Sequence, residues 1–253
     1  MNKISAVIIT KNEEHNIARC LDALTWVDEI IIVDSHSDDR TVEIAHKYNT
    51  KIITIDWVGY GPAKQEAVKH TTNDWVLSID ADEVVSESLA LEMQTILSND
   101  NLADGYLMPR KTNFMGRWIN HSNWYPDYIL RLFNKNKGGF NSNLVHEAIE
   151  VEGTRAYLKN DLLHYSYPTL DEYFRKSNIY TRMGAEDLYA RGKKAGFFGI
   201  CIKPIAAFIK HYFIKKGFLD GVEGFLISFL SAIAVMVKYA KLRELMKQKD
   251  SKK

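Results

Sequence analysis

Four consecutive residues, Asp80, Ala81, Asp82 and Glu83, form the acidic segment of this chain that is best placed to do chemistry. They directly follow the apolar stretch 75–79, which has the length and continuity of a buried strand. If the extended backbone continues, Asp80 and Asp82 point to the same side of it. Two carboxylates on one side suit Mg²⁺ or Mn²⁺, which bind through a few carboxylates together with substrate phosphates. The segment predicts a site for a metal-bound nucleotide diphosphate; the alternative is a solvated acidic turn.

Two other predicted strands also end in polar residues. The first leads into Thr10, Asn12 and Glu13, and the second leads into Asp34. The carboxyl ends of parallel strands lie along one edge of a sheet, where open α/β sheets bind ligands. A solvated turn explains each end taken alone, but three acid-bearing ends on one edge favour a binding site.

The elements that must position these residues follow from the hydrophobic pattern. Continuously apolar strands that alternate with helices are typical of a parallel sheet covered on both faces. After Gly105 longer polar loops separate the strands, and after Leu170 the chain is mostly helical. Strands are predicted at 4–9, 29–33, 51–55, 75–79, 105–110, 128–133 and 162–167, and helices at 16–24, 41–48, 63–70 and 88–97.

Composition limits the class of protein. The 253 residues can form one large core, or one domain with an appendage. A net charge of +1 gives no electrostatic footprint for nucleic acid, so no nucleic-acid partner is predicted. Two cysteines, Cys20 and Cys201, form neither a disulfide framework nor a zinc site, which suits a reducing cytoplasm. The N-terminal residues do not have the pattern of a signal peptide.

Several common nucleotide-binding motifs are missing. The sequence has no P-loop, and the glycines at 59 and 61 lack the third glycine of a dinucleotide fingerprint. An aspartyl-phosphate phosphatase also has an Asp-x-Asp after a strand, but Val84 and Val85 stand where its threonine is expected.

Three segments together resemble the signature segments of family 2 glycosyltransferases: 8–14 (IITKNEE), 32–38 (IVDSHSD) and 77–83 (LSIDADE). Later segments resemble the bacterial subgroup that adds a sugar, often glucose, to the heptose region of the lipopolysaccharide core: 125–127, 131–133, 145–147 and 164–167. The resemblance implies a GT-A-like (Rossmann-like) α/β fold, with a mixed sheet, helices on both faces and a C-terminal helical segment. It implies a glycosyltransferase domain over 1–170, with nucleotide-sugar binding in 1–103 and the acceptor side in 104–170, followed by a helical segment over 171–253.

The resemblance also implies roles for the residues of the donor site. Asp34 would accept hydrogen bonds from the base, Asp80 would contact ribose or metal, and Asp82 would bind the metal. Lys64 could neutralise a phosphate or pack beside the base. The nucleoside pocket would be lined by Thr10, Asn12 and Glu13.

On the acceptor side, the resemblance points to Glu147 as the catalytic base, with Asp127 as the alternative. Arg131 would contact a phosphate or the acceptor, or form an ion pair with Asp127. His146 would be a third metal ligand or a structural residue, and His164 has the same two interpretations. Trp118, Trp124 and Tyr125 would stack on a sugar or pack onto the core.

The implied activity is inverting, metal-dependent transfer of a hexose, glucose from UDP-glucose, to a lipid-linked glycan such as lipopolysaccharide core heptose. Mg²⁺ or Mn²⁺ would be the cofactor. One alternative is a sugar nucleotidyltransferase, which would need a glycine- and Arg/Lys-rich phosphate loop near its N-terminus, and 10–16 is not such a loop. Another is a non-catalytic nucleotide-sugar-binding scaffold at the membrane.

The C-terminal third contains the two most apolar parts of the chain, 197–213 and 217–239. The uncharged stretch 224–237 is shorter than the roughly 20 residues that span a bilayer. Because lysines flank it, one interpretation is an amphipathic segment on an anionic membrane surface. The other is a helical pair buried against the catalytic domain or in a dimer. We expect a cytoplasmic enzyme attached peripherally to the inner membrane.

Overall fold

The computed structural model describes residues 2–141 and 148–250. The chain forms two compact units. The first comprises the residues up to Arg110 together with Asp127–His164, and the second comprises Lys111–Pro126 together with the residues from Tyr165 onward. The predicted functional division at residue 170 stays a prediction.

The first unit begins with a parallel sheet. Its strands are β1 (Ile4–Thr10), β2 (Glu29–Asp34), β3 (Lys51–Thr54) and β4 (Trp75–Asp80), in the order β3-β2-β1-β4. The predicted strands are confirmed here. The apolar stretches of β1, β2 and β4 are largely buried on both faces of the sheet, whereas the edge strand β3 is exposed or half-buried. The register places Thr10 opposite Asp34 and Ile9 opposite Asp80, so the polar strand ends share one edge.

The remaining strands make the sheet mixed. The order continues from β4 through β8, β6 and β12 to β5, and the β4–β8, β6–β8 and β12–β5 pairs are antiparallel. Two short strands, β7 and β11, pair with β6, and β9 with β10 forms a separate two-stranded sheet. The bounds are β5 Glu83–Val85, β6 Gly105–Phe114, β7 Arg117–Trp118, β8 Asp127–Asn134, β9 Gly138–Phe140, β10 Ile149–Val151, β11 Arg155–Tyr157 and β12 Leu162–Tyr167.

Helices cover both faces of this sheet, as predicted. They are α1 (Ile17–Asp22), α2 (Thr41–Ala45), α3 (Tyr60–Lys69) and α4 (Glu87–Leu97). One core contains Leu21 of α1 and Leu89 of α4, and the other contains Ala67 of α3. Helix α4 starts where the Ser86 hydroxyl accepts a hydrogen bond from the Leu89 N–H at 3.2 Å, an N-cap.

Helix α3 begins three residues before the predicted Ala63. Gly59 precedes it with a φ of 100°, a left-handed conformation that glycine adopts readily. Pro62 lies in the first turn, where its missing N–H has no partner to lose. The predicted start was therefore too late because a proline in the first turn does not end a helix.

The second unit is mainly helical. Helix α5 (Leu170–Ala190) is capped by the Thr169 hydroxyl, which accepts from the Glu172 N–H at 3.2 Å. After it come α6 (Lys203–Ile209), with a π-helical turn on each side at Phe198–Ile202 and Lys210–Ile214, a 3₁₀ turn at Gly217–Asp220, and α7 (Gly221–Asp250). The core between these elements contains Phe114, Ile119, Tyr173, Ile227 and Leu230.

One helical stretch, Gly217–Gln248, is long and apolar enough by length and composition to cross a membrane. About a third of its most apolar window (33%) is buried inside the protein.

Candidate active site

The acidic segment 80–83 forms a turn between two strands. Strand β4 ends at Asp80, Ala81 and Asp82 form the turn, and β5 begins at Glu83. The extended backbone therefore does not continue from Asp80 to Asp82, and strand alternation does not apply to this pair. The cause is Glu83, whose Oε2 accepts a hydrogen bond from the Asp80 N–H at 3.0 Å and closes the turn.

Asp80 is held by two cations. Lys64 Nζ, on the buried side of α3, lies 2.7 Å from its Oδ1, and Arg131 Nη2, on β8, lies 2.5 Å from its Oδ2. Burial raises the pKa of Asp80, but the positive charges of Arg131 and Lys64 outweigh it and hold the pKa well below its usual range. Asp80 is therefore ionised at neutral pH, with both oxygens occupied.

Glu83 connects this clamp to a second arginine. Its carboxylate is fully buried and accepts from Arg131 Nη2 at 2.6 Å and from Arg110 Nη1 at 3.4 Å. Burial alone would lower the pKa of Arg131. The negative charges of Asp80 and Glu83 outweigh this effect and raise the pKa above its usual range, so the guanidinium stays charged. Arg110 also donates to Asp127, with Nη2 2.7 Å from Oδ2. Lys64, Asp80, Arg131, Glu83, Arg110 and Asp127 thus form a charge network in which opposite signs alternate.

The network corrects one sequence interpretation. Arg131 was expected either to contact a ligand or to pair with Asp127. The expected ion pair with Asp127 was wrong, because Arg131 pairs with Asp80 and Glu83, while Asp127 pairs with Arg110. The expected contact of Arg131 with a phosphate or the acceptor stays a prediction. The register explains this, because antiparallel pairing of β6 with β8 sets Arg110 directly opposite Asp127.

Asp82 lies beside a histidine. The Nε2 of His164, at the start of the β12 strand, is 3.3 Å from Asp82 Oδ2, and both side chains are mostly buried. Among the described residues, no atom hydrogen-bonds the buried Nδ1 of His164. A carboxylate oxygen and an imidazole nitrogen are donors that Mn²⁺ accepts, so this pair fits a divalent metal. Asp80 fits it less well, since both of its oxygens already face cations.

A larger ligand set is not assembled in the part of the chain that the structure describes. There, no group of three or more His, Cys, Asp or Glu side chains is arranged to hold a metal. A metal at Asp82 and His164 would thus need oxygen atoms from another source, such as a bound diphosphate.

The predicted nucleoside side of the site is ordered by hydrogen bonds between the ends of β1 and β2. The buried Asp34 accepts from the Thr10 hydroxyl at 3.0 Å and from the Ser37 N–H at 2.9 Å. Asn12, with a φ of 58°, reaches across to accept from the Asp38 N–H at 3.0 Å. The structure therefore brings Thr10, Asn12 and Asp34 together at one edge.

Glu13 lies next to this edge and is involved in starting α1. Its Oε2 accepts from the Asn16 side chain at 2.9 Å, and its backbone N–H donates to the Thr41 hydroxyl at 2.7 Å. The aromatic candidates belong to the second unit. Trp124 packs against Phe114 with the ring centroids 5.8 Å apart, which is the core interpretation of that residue.

Two of the predicted residues, His146 and Glu147, lie outside the described residues, and their roles stay predictions. Sequence reasoning assigned no role to Glu83 or Arg110. The burial of Glu83 could have been anticipated from the sequence. Glu83 directly precedes the apolar Val84 and Val85, so it stands at the start of a short strand and can point inward. Arg110 had none, because its partner follows from a strand register that the sequence does not reveal.

Comparison with known proteins identifies the family. The sequence model of glycosyl transferase family 2 matches residues 5–165. An uncharacterized glycosyltransferase of Rickettsia typhi is 36% identical over 97% of this chain and 88% of its own length. The lipopolysaccharide core biosynthesis glycosyltransferase LpsC of Rhizobium meliloti is 29% identical over 94% of this chain and 93% of its own length.

Solved structures agree on the fold. TarS 1-349 of S. aureus, crystallised in complex with UDP, superposes with a TM-score of 0.51 at 17% identity, covering 97% of this chain and 91% of that one. The fold class inferred from the sequence is confirmed, and so is the family resemblance. The chain belongs to glycosyl transferase family 2 and is a glycosyltransferase.

Proposed function

We propose that this enzyme transfers a hexose, glucose from UDP-glucose, with inversion onto a glycan of the lipopolysaccharide core type, with a heptose as acceptor. The observation that carries the proposal is the shared edge at which β1, β2 and β4 end, where Thr10 lies opposite Asp34 and the neighbouring Ile9 lies opposite Asp80. Open α/β sheets bind their ligands at this edge. The likeness to LpsC, which is named for lipopolysaccharide core biosynthesis, supports the acceptor class.

The donor would lie along this edge. The nucleoside would contact Thr10, Asn12, Glu13 and Asp34, and the ribose would contact Asp80. Lys64 and Arg131 bring two positive charges to the end of β4, where each already compensates Asp80. Preorganised cations stabilise the negative charge that grows on a departing diphosphate.

Asp82 and His164 would hold Mg²⁺ or Mn²⁺, with Asp80 and His146 as the remaining candidate ligands. When bound, the metal would supply Lewis-acid stabilisation of the diphosphate leaving group. The chain's own contribution is to keep these groups in place. Glu83 fixes the turn that carries Asp82 through its hydrogen bond to the Asp80 N–H.

A carboxylate must also take the proton of the acceptor hydroxyl. Glu147 is our first choice, and Asp127 is the alternative. Asp127 is held by Arg110 at 2.7 Å, and this charged hydrogen bond would weaken as the carboxylate accepted a proton. The hydroxyl oxygen would then form a bond to the anomeric carbon from the face opposite the diphosphate, while the bond between that carbon and the diphosphate oxygen breaks and UDP leaves, which inverts the configuration.

The functional division follows the same proposal. Residues 1–103 would bind the nucleotide sugar, 104–170 would form the acceptor side, and 171–253 would form a helical segment. The enzyme would work in the cytoplasm at the inner-membrane surface, where it meets a lipid-linked glycan.

A thermal-shift screen of nucleotide sugars tests the proposal, because a ligand that binds only the folded state raises Tm according to its affinity. We expect UDP-glucose to give a larger increase with Mn²⁺ than without it, and UDP to be released when a core heptose acceptor is added. Binding without UDP release would indicate the scaffold alternative, and pyrophosphate exchange would indicate a nucleotidyltransferase. The proposal is wrong if no UDP-sugar changes Tm.

A further inference from the structure

In the segment 197–219 of the second unit, the side chains are exposed or half-buried. Of its residues, only Gly199 and Gly217 are buried, and both lack a side chain. The most exposed apolar side chains are Phe197 at 76%, Ile214 at 68% and Phe198 at 63%. A soluble monomer rarely leaves so many large apolar groups together in water.

Helix α7 extends this surface. Its exposed apolar residues include Val222, Phe225 and Phe229. The Phe225 ring lies 5.9 Å from that of Phe208 and 6.1 Å from that of Phe229, so the half-buried Phe208 connects the segment to the exposed rings of α7. We call this surface, formed by 197–219 and the outward side of α7, the apolar face.

The segment 197–219 carries charge of one sign. It contains four lysines and no Asp or Glu: Lys203, Lys210, Lys215 and Lys216. Three more basic residues, at 191, 193 and 194, precede it, and the nearby Glu223 of α7 lies 3.7 Å from Arg117. Lys203 extends over the Tyr239 ring, with Nζ 4.4 Å from the ring centroid and 2.5 Å from its hydroxyl. Lysines that lay their apolar stems along such a surface keep the ammonium group at its rim.

This charge pattern determines what covers the face. A two-fold dimer would bring the face against its own copy, because such an interface uses the same patch on both subunits. The four lysines of the segment would then face the same four lysines of the second copy, and the segment supplies no acid to pair with them. An anionic lipid bilayer complements both features, since its headgroups attract lysine and its acyl region takes phenylalanine and isoleucine.

The inner side of α7 excludes a simple span through the bilayer. Ile227 and Ser228 are fully buried, and Ile227 packs with Phe114, Ile119 and Tyr173 in the core of the unit. A helix committed to this core cannot be surrounded by lipid without losing that packing. The apolar face would therefore lie on the membrane rather than cross it.

We propose that the apolar face is a membrane-docking surface that inserts its phenylalanines into the interface of an anionic bilayer and contacts the headgroups through its lysines. The inference goes beyond the proposed reaction, and binding to vesicles needs neither donor nor acceptor. Its failure would therefore leave the chemistry at Asp82 untouched, and the reverse also holds.

Vesicle co-sedimentation of the full chain tests the proposal. We expect the protein to bind vesicles of phosphatidylcholine with phosphatidylglycerol at least about tenfold more tightly than vesicles of phosphatidylcholine alone, and to lose binding in high salt. We also expect alkaline carbonate to release it, since it does not span the bilayer. Equal binding to both vesicle types, or no binding, would overturn the proposal, and resistance to carbonate would indicate a spanning helix instead.

Two variants distinguish the insertion of aromatic side chains into the bilayer from the attraction of lysines to anionic headgroups. Changing Phe197, Phe198 and Phe213 together to Ser should weaken vesicle binding by about tenfold or more, because these exposed rings supply buried apolar area. The matched control changes Leu91 and Tyr157, both 64% exposed in the first unit, to Ser and should bind as the native chain does.

The charge variant changes Lys210, Lys215 and Lys216 to Gln. Each lysine near an anionic surface contributes about fivefold, so the expected loss is about a hundredfold. The control changes the exposed Lys47, Lys51 and Lys69 to Gln and should have little effect. Circular dichroism and Tm establish that all four variants fold. Native-like vesicle binding by both face variants, or a dimer in solution that the phenylalanine variant dissociates, would contradict the proposal.

Discussion

The imidazole of His164 lies beside the carboxylate of Asp82, with Nε2 3.3 Å from Oδ2, although 82 residues separate them in sequence. Strand β12 brings them together by pairing with β5 so that His164 lies opposite Glu83. The two side chains combine the oxygen and nitrogen donors that a divalent metal accepts. Asp80, in contrast, is already compensated by Lys64 and Arg131.

His164→Gln should therefore weaken the metal-dependent binding of UDP by about tenfold or more while leaving metal-independent binding unchanged, because the amide replaces a nitrogen donor poorly. Isothermal titration of UDP with and without Mn²⁺ measures both. His70→Gln is the matched control, since His70 directly follows α3 and pairs with Glu66. Equal loss of UDP binding with and without Mn²⁺ would mean that His164 has a structural role only.

The identity of the base can be tested with two carboxylates and one control. Glu147→Gln should reduce transfer by about a hundredfold or more with unchanged donor affinity, as expected on losing a general base. Asp127→Asn should reduce it less than tenfold, because Asp127 is paired with Arg110. Steady-state kinetics with saturating donor gives both values, and the exposed Glu152→Gln serves as control. If Asp127→Asn is the variant that loses transfer, our choice of base is wrong.

The buried Glu83 should matter more for folding than any other carboxylate of the segment. Glu83→Ala leaves Arg131 and Arg110 without a shared partner, and removing one member of a buried ion pair costs about 3–5 kcal/mol. Urea unfolding measures the change in the free energy of unfolding. Glu87→Ala, an exposed residue in the first turn of α4, should cost less than about 1 kcal/mol. If both variants lose the same unfolding free energy, the ion pairs of Glu83 do not contribute the expected stability.

Acid stability should depend on the clamp around Asp80. Its pKa in the folded protein lies below the ordinary value of 3.8, so the folded state binds fewer protons than the unfolded state in acid. The stabilisation is therefore complete above that ordinary value and is lost as the pH falls below it. Lys64→Met removes one cation and should reduce the loss of unfolding free energy between pH 6 and pH 3, by no more than about 1 kcal/mol, which is all that one carboxyl with an ordinary pKa of 3.8 can lose by pH 3.

Urea unfolding at pH 6, 4 and 3 measures this difference. Lys69→Met is the control, because Lys69 lies on the same helix but is exposed and pairs with Glu66. An unchanged pH dependence in Lys64→Met would show that Lys64 does not control the ionisation of Asp80.

Most of the polar edge formed by the ends of β1, β2 and β4 could be predicted from the sequence. Buried parallel strands are continuously apolar, so β1, β2 and β4 could be predicted, and their polar ends share an edge by the topology of such sheets. Thr10, Asp34 and Asp80 therefore lie together as expected. The resemblance to family 2 glycosyltransferases added the mixed sheet and the activity.

The partners of those residues could not be predicted. Arg110 pairs with Asp127 and Arg131 with Asp80 because of the registers of β6 and β8, which depend on packing between segments far apart in sequence. The turn at Ala81 and Asp82 escaped prediction because Glu83 closes it through a side-chain hydrogen bond, which leaves no hydrophobic period to detect.

Electron paramagnetic resonance of Mn²⁺ titrated into the enzyme with UDP tests the central claim most directly. We predict one UDP-dependent Mn²⁺ site per chain. The affinity of this site for Mn²⁺ should fall by at least about tenfold in Asp82→Asn and should be unchanged in Asp100→Asn, which changes an exposed loop residue. Native affinity of Asp82→Asn for Mn²⁺ in the presence of UDP would contradict the account.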